Sequence, residues 1–221
     1  MILVFDLDDT LYNELTFVKS GFHVVAQYLE ENYNISKQQS LKIMLQNLQT
    51  SRKNVFNKML LQFDIHAKKT LSKCISIYRN HLPTINLYTQ AQKCLTSFYK
   101  TYPIYIVTDG NKIVQNNKLQ ALGLKQYTKH QFISHRYGIQ HSKPSPYCFL
   151  QIQKREKVPC TQIVYIGDNP LHDFVGIKPL GFKTIRVHTG QHKNIVVPQK
   201  YDAEHHIKNL SQLTIKLLSK L

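Results

Sequence analysis

Phe5-Asp6-Leu7-Asp8-Asp9-Thr10 constrains this chain more than any other stretch. It follows a short apolar run, Ile2-Leu3-Val4-Phe5, that reads as a buried strand. Three carboxylates then fall within four positions. Close carboxylates repel, so folding gains nothing from clustering them, and a divalent cation with oxygen ligands is the usual partner for such a group. The alternative is a solvated acidic turn, and the rest of the chain has to decide between the two.

Two more apolar runs end in acids. Ile104-Tyr105-Ile106-Val107 leads into Thr108-Asp109-Gly110, and Ile163-Val164-Tyr165-Ile166 leads into Gly167-Asp168. From residue 87 onward, strand-like runs alternate with helical ones. Helix faces are expected at Ala91, Cys94, Leu95 and Phe98, and at Ile113, Leu119 and Leu122 with Gly123 as the stop. A helix is also expected after Lys143-Pro144-Ser145-Pro146, another over 170–179, and a last one through Leu210, Leu213, Leu217 and Leu218. Further strands are expected at Phe132 to Ser134, Thr184 to Val187 and Ala203 to Ile207. Such alternation predicts a parallel sheet with helices on both faces, an α/β fold of Rossmann-like character. Ligands of these sheets bind beyond the carboxyl ends of the strands. Parallel strands would bring all three acidic ends to one edge, which favours a site over a solvated turn.

Residues 14–86 differ. Apolar residues recur at helical spacing, as in Phe22, Val25, Ala26 and Leu29, or Phe56, Met59, Leu60 and Phe63. Stripes at Leu41, Met44, Leu45 and Leu48, and at Leu71, Cys74, Ile75 and Tyr78, complete an all-helical insert of about four helices. Ser36 with Gln39 resembles a capping box opening the second helix, and Pro83 marks the exit. The expected organisation is therefore a core of 1–13 and 87–221 interrupted by a helical domain at 14–86.

The charge narrows the partners. Lys and Arg total 29 against 13 Asp and Glu, a net charge of +16. Six of those acids are Asp6, Asp8, Asp9, Asp109, Asp168 and Asp173. The basic remainder would draw anionic ligands. The lysines are spread out without aromatic interleaving, so nucleic acid is not the expected partner. No apolar run is long enough for a membrane span, and no basic leader precedes Asp6, so a cytoplasmic protein is expected. Cys74, Cys94, Cys148 and Cys160 show no Cys-x-x-Cys spacing and read as reduced thiols.

The chemistry these residues suit is phosphoryl transfer. A magnesium ion between Asp6 and Asp168 would relieve their repulsion and take a phosphate oxygen. Asp6 keeps an oxygen for attack on phosphorus, and Asp8 can protonate a leaving alcohol and later deprotonate water. Thr108 and Gly110 suit a phosphate at a helix start. Lys143 supplies a fixed cation, and Asp173 can orient it or a metal-bound water.

These four stretches together resemble the haloacid dehalogenase superfamily of hydrolases. Its first motif, Asp-x-Asp-x-Thr, stands as Asp6-Leu7-Asp8-Asp9-Thr10, and the second as Ile106-Val107-Thr108-Asp109-Gly110. The third is Lys143 before Pro144, and the fourth is Gly167-Asp168 with Asp173 five residues on. The resemblance implies Asp6 as nucleophile through an aspartyl-phosphate, and Asp8 as general acid/base whose main-chain carbonyl also touches magnesium. It implies Asp168 as the further metal carboxylate with Asp173 in support. Thr108, Asp109, Gly110 and Lys143 would hold the phosphoryl group. The helical insert resembles the cap of the family's C1 class. Asp8 is absent from the dehalogenases that name the superfamily, so a small phosphate monoester is the expected substrate, a sugar phosphate or a nucleotide. A phosphosugar mutase with the same motifs stays open, as does a basic nucleic-acid-associated protein that keeps the fold. The expected state is a monomer or homodimer with no membrane partner.

Overall fold

The computed structural model describes residues 1–221. The chain divides into two compact units, Met1–Glu14 with Asn86–Leu221, and Leu15–Ile85. The first holds a six-stranded sheet: β1 (Ile2–Phe5), β2 (Ile104–Thr108), β3 (His130–Ile133), β4 (Ile163–Gly167), β5 (Lys183–Val187) and β6 (His205–Ile207). The strand order is β3-β2-β1-β4-β5-β6 and every pairing is parallel.

The apolar runs become strands because they are covered on both faces. Every residue of β1, β2 and β4 is buried. Each fully buried large side chain, such as Phe5 or Ile166, is worth about 1.5–3 kcal/mol over its exposed state. Phe5 stands opposite Ile106 on one side and Ile166 on the other, so the three acid-bearing ends leave the sheet at one level. The chain reverses direction across the sheet between β1 and β4, the crevice where parallel sheets bind ligands. Around the sheet run α5 (Thr89–Phe98), α6 (Lys112–Ala121) and α7 (Tyr147–Glu156).

The second unit is built from α1 (Glu14–Tyr33), α2 (Lys37–Thr50), α3 (Val55–Leu61) and α4 (Lys68–Asn80). Phe22, Val25 and Leu29 of α1 are buried with Met44, Met59, Leu60 and Cys74. Along α2, Ile43 and Met44 are the buried apolar pair, while Leu41, Leu45 and Leu48 are half-buried. Phe56 meets Phe22 and Tyr78 edge-on at 5.8 and 5.4 Å. A Cβ on Gly21 would stand 2.4 Å from the Tyr78 ring, which is why α1 tolerates a glycine there. Ser36 caps α2, its side chain accepting from the Gln39 backbone N–H at 3.5 Å.

Three expected elements are corrected. Residues 170–179 are not a helix but a series of turns, followed by a single 3-10 turn at Lys178–Leu180. Asp173 takes the Asn169 backbone N–H at 2.8 Å, and a Cβ on Gly176 would stand 1.7 Å from the Pro144 carbonyl oxygen, so the segment is shaped by contacts that periodicity does not report. The last strand is three residues rather than five. The final helix is only α8 (Ile215–Leu218), because Thr214 caps a new start after the 3-10 turn at Leu210–Gln212. The four cysteines are free. No helix is long and apolar enough to cross a membrane.

Candidate active site

Asp6 extends β1 by one bond, its N–H donating to the Ile166 carbonyl at 2.9 Å. The chain then turns tightly, with Leu11 N–H on Leu7 O at 3.0 Å and Asp9 in the left-handed region at φ 57°. Asp9 serves this turn. Its carboxylate accepts from the N–H groups of Glu14 and Gln191 at 2.9 and 3.1 Å, and its carbonyl accepts from Thr189 Oγ1 at 2.6 Å.

Three carboxylates converge beyond β1 and β4. Asp6, Asp168 and Asp173 each offer an oxygen, all within 4.8 Å of one another, and all three are buried. Lys143 Nζ lies 2.5 Å from Asp6 Oδ1, 2.7 Å from Asp173 Oδ1 and 2.9 Å from the Tyr165 hydroxyl. One ammonium cannot balance three anions in a buried space. Burial pushes the Asp6 carboxyl up, the charges of Asp173 and Asp168 add to this, and Lys143 pulls the other way. Burial also pushes Asp168 up, to about 6, although a hydrogen bond from His192 lowers it. Burial alone would depress Lys143, but Asp173 and Asp6 more than offset this and hold it well above the ordinary lysine value. The donor set is oxygen only, buried and over-charged, which fits a hard divalent cation such as Mg2+.

Asp8 faces elsewhere. Its carboxylate receives Lys118 Nζ at 2.8 Å, the Tyr12 hydroxyl at 2.5 Å and Gln115 Nε2 at 2.8 Å. Burial would raise it, but the Lys118 charge and these hydrogen bonds outweigh burial and hold it below the ordinary aspartate value. Its side chain is not part of the carboxylate group formed by Asp6, Asp168 and Asp173.

Beyond β2, Thr108 is buried and accepts from Gln115 Nε2 at 2.6 Å. Gly110 takes φ 124°, a conformation other residues rarely adopt, and Asn111 then caps α6 by accepting from Ile113 and Val114 N–H. Asp109 anchors the Lys143 loop, accepting the Lys143 N–H at 2.9 Å, and its Oδ1 is buried without a partner.

Tyr12, Gln115, Lys118, Tyr165 and His192 were not singled out from the sequence. Tyr165 sits inside an apolar strand, where only its hydroxyl marks it. Gln115 and Lys118 had one signal, polar side chains on the face of α6 that also carries Leu119. His192, 2.9 Å from Asp168 Oδ2, arrives on a long loop that no periodicity places. That loop is tied down by Arg186, which is 1% exposed and donates to Asp202 and to the carbonyls of His192 and Ile195. Other histidines are accounted for elsewhere: His141 stacks on Tyr147 at 3.9 Å, His206 pairs with His188, and His172 is exposed.

A parallel sheet with two strand-end carboxylates, a third from the turns after β4 and a buried lysine among them defines a class of hydrolase. The chain belongs to the haloacid dehalogenase-like hydrolase family, whose model matches residues 3–187. It is similar to a glyceraldehyde 3-phosphate phosphatase of Pyrococcus furiosus, 25% identical over 219 residues, covering 96% of this chain and 90% of that protein. Its fold is that of a 2-haloacid dehalogenase from Pseudomonas syringae, with a TM-score of 0.69 at 21% identity over 100% and 99% of the two chains. The same fold is found in YfnB of Bacillus subtilis, a HAD-hydrolase bound to magnesium, with a TM-score of 0.67 at 21% identity and 96% coverage of each chain.

Proposed function

We propose that this chain is a magnesium-dependent phosphatase of small phosphate monoesters, of the kind represented by glyceraldehyde 3-phosphate. The observation that carries this is Asp8. A carboxylate two residues after Asp6, held by Lys118, Tyr12 and Gln115, has a use where an alcohol must leave, and none where halide leaves. The likeness to the Pyrococcus furiosus phosphatase supports the same side.

Asp6 and Asp168 would hold the cation, with Asp8 contributing through its main chain and Asp173 in support, its oxygens held by Lys143, Tyr165 and the Asn169 N–H. When bound, the cation neutralises charge on the phosphoryl group and on the ring of carboxylates. The remaining roles belong to the protein. A carboxylate oxygen of Asp6 attacks phosphorus, and the bond from phosphorus to the ester oxygen breaks. Asp8, held as the carboxylate by Lys118, takes the proton of the bound phosphate monoester monoanion and passes it to the departing alkoxide, leaving an aspartyl-phosphate and a free alcohol. Asp8 then takes a proton from water, whose oxygen attacks phosphorus. The bond to Asp6 breaks and inorganic phosphate leaves. Lys143 neutralises developing charge beside Asp6, and Thr108 Oγ1 and the N–H groups at Gly110 cradle the phosphate oxygens. Asp109 positions Lys143 by gripping its backbone. The helical unit Leu15–Ile85, inserted between the first two motifs, acts as a cap that selects the substrate.

The test is phosphate release from a panel of phosphorylated metabolites, glyceraldehyde 3-phosphate included, with and without EDTA. Release that EDTA abolishes and Mg2+ restores is the expected result. No release from any monoester, or transfer between two positions of a sugar without free phosphate, contradicts the proposal.

A further inference from the structure

The inward face of α6 carries a polar pair where an amphipathic helix carries apolar side chains. Gln115 and Lys118, one turn apart, are 1% and 4% exposed, beside buried Leu119. A buried lysine is a costly way to stabilise a helix, since apolar residues of like volume often serve folding as well or better. Both side chains end on Asp8.

The lone pairs of Asp8 can be counted. Each carboxylate oxygen offers two. Oδ1 receives Lys118 Nζ at 2.8 Å and the Tyr12 hydroxyl at 2.5 Å, which fills it. Oδ2 receives Gln115 Nε2 at 2.8 Å and keeps one lone pair without a protein partner. The same Nε2 lies 2.6 Å from Thr108 Oγ1 and 2.8 Å from the Asp109 carbonyl. Nε2 carries two hydrogens, so the three acceptors share them; Thr108 Oγ1, the nearest, is an acceptor here and its own hydroxyl hydrogen is available to a phosphate oxygen.

We infer that Lys118 and Gln115 are positioning residues: they fix Asp8 through Oδ1 and leave one lone pair of Oδ2, in register with the Thr108 hydroxyl, as the place where the proton is handled. This rests on the phosphatase proposal above and adds how proton carrier and phosphate cradle are held to one frame. A purely structural ion pair between α6 and the Asp8 turn predicts something different, because it has no dependence on the leaving group.

The experiment is single-turnover ester cleavage with enzyme in excess and Mg2+ present, on two substrates. The p-nitrophenyl ester leaves without needing a proton; a simple alkyl phosphate does not. Lys118→Met is expected to slow the alkyl ester about 100-fold, with a loss on the p-nitrophenyl ester at least about tenfold smaller. Added to Asp8→Asn, it should cost less than about twofold more, because Lys118 acts through Asp8. Tyr12→Phe, which removes the other donor to Asp8 Oδ1 and leaves the Thr108 cradle alone, should show the same bias and serves if Lys118→Met does not fold. Equal slowing of both esters, an undiminished effect beside Asp8→Asn, or a loss that vanishes at saturation overturns the positioning role and leaves the phosphatase proposal intact. Failure of the wild-type protein to cleave either ester overturns both.

Discussion

Lys143 Nζ bridges Asp6 Oδ1 at 2.5 Å and Asp173 Oδ1 at 2.7 Å, so a single buried ammonium ties the end of β1 to the turns after β4. All three side chains are less than 9% exposed. Removing one partner of such a group leaves uncompensated buried charge, which typically costs about 3–5 kcal/mol. Lys143→Met is therefore expected to lower the melting temperature sharply as well as activity. The loss of stability should be partly recovered by Mg2+, which supplies positive charge to the same carboxylates. Thermal melts with and without the cation check this.

On the proposed mechanism, Asp6 and Asp9 divide the acidic turn between chemistry and structure. Asp9 spends its carboxylate on the Glu14 and Gln191 N–H groups, and an Asn oxygen can keep one of these bonds. Asp9→Asn is expected to cost about 1 kcal/mol of stability and to keep activity within about tenfold. Asp6→Asn is expected to fold and to lose at least about 1,000-fold in turnover. Steady-state rates and urea melts on both variants decide whether this division holds.

Gly176 connects the fold to the site through a close approach. A Cβ there would stand 1.7 Å from the Pro144 carbonyl oxygen, next to Lys143. Gly176→Ala is expected to cost at least about 1–3 kcal/mol and to lower kcat, because the Lys143 loop has to move. A kcat equal to wild type in this variant would show the loop to be indifferent to that contact.

Asp168 gives stability a pH dependence with a definite sign. Its folded pKa of about 6 lies above the ordinary value of 3.8, so between these the metal-free native state holds more protons than the unfolded chain. Stability from this group is full below the lower value and is lost as pH rises through the upper one. Metal binding needs the carboxylate, so the stabilisation by Mg2+ should grow over the same window. Melting temperatures at pH 5 and pH 7.5, with Mg2+ and with EDTA, test it. A shift from Mg2+ that is equal at both pH values contradicts this assignment.

Much of this was legible in the sequence because it depends on local signals. Apolar runs ending in Asp6, Asp109 and Asp168 announce strands and the edge on which they end, and parallel pairing brings the ends together. Lys143 and Asp173 sit at motif positions, although the hydrogen bonds that link them are visible only in three dimensions. The helix expected over 170–179 failed because its apolar spacing competes with the Asp173 cap on Asn169 and the Gly176 contact, both invisible to periodicity. Lys118 and His192 were missed for a related reason. Their partners, Asp8 and Asp168, are remote in sequence, and neither lysine nor histidine carries a spacing that names its target.

The most direct test of the central claim is whether phosphate becomes bonded to Asp6. The protein is mixed with radiolabelled monoester and Mg2+, quenched in acid within one turnover, digested and analysed for labelled peptide. Hydroxylamine-labile label on the peptide containing Asp6, absent from Asp6→Asn, is the predicted result. Turnover without any such label, or sustained turnover by Asp6→Asn, would contradict it.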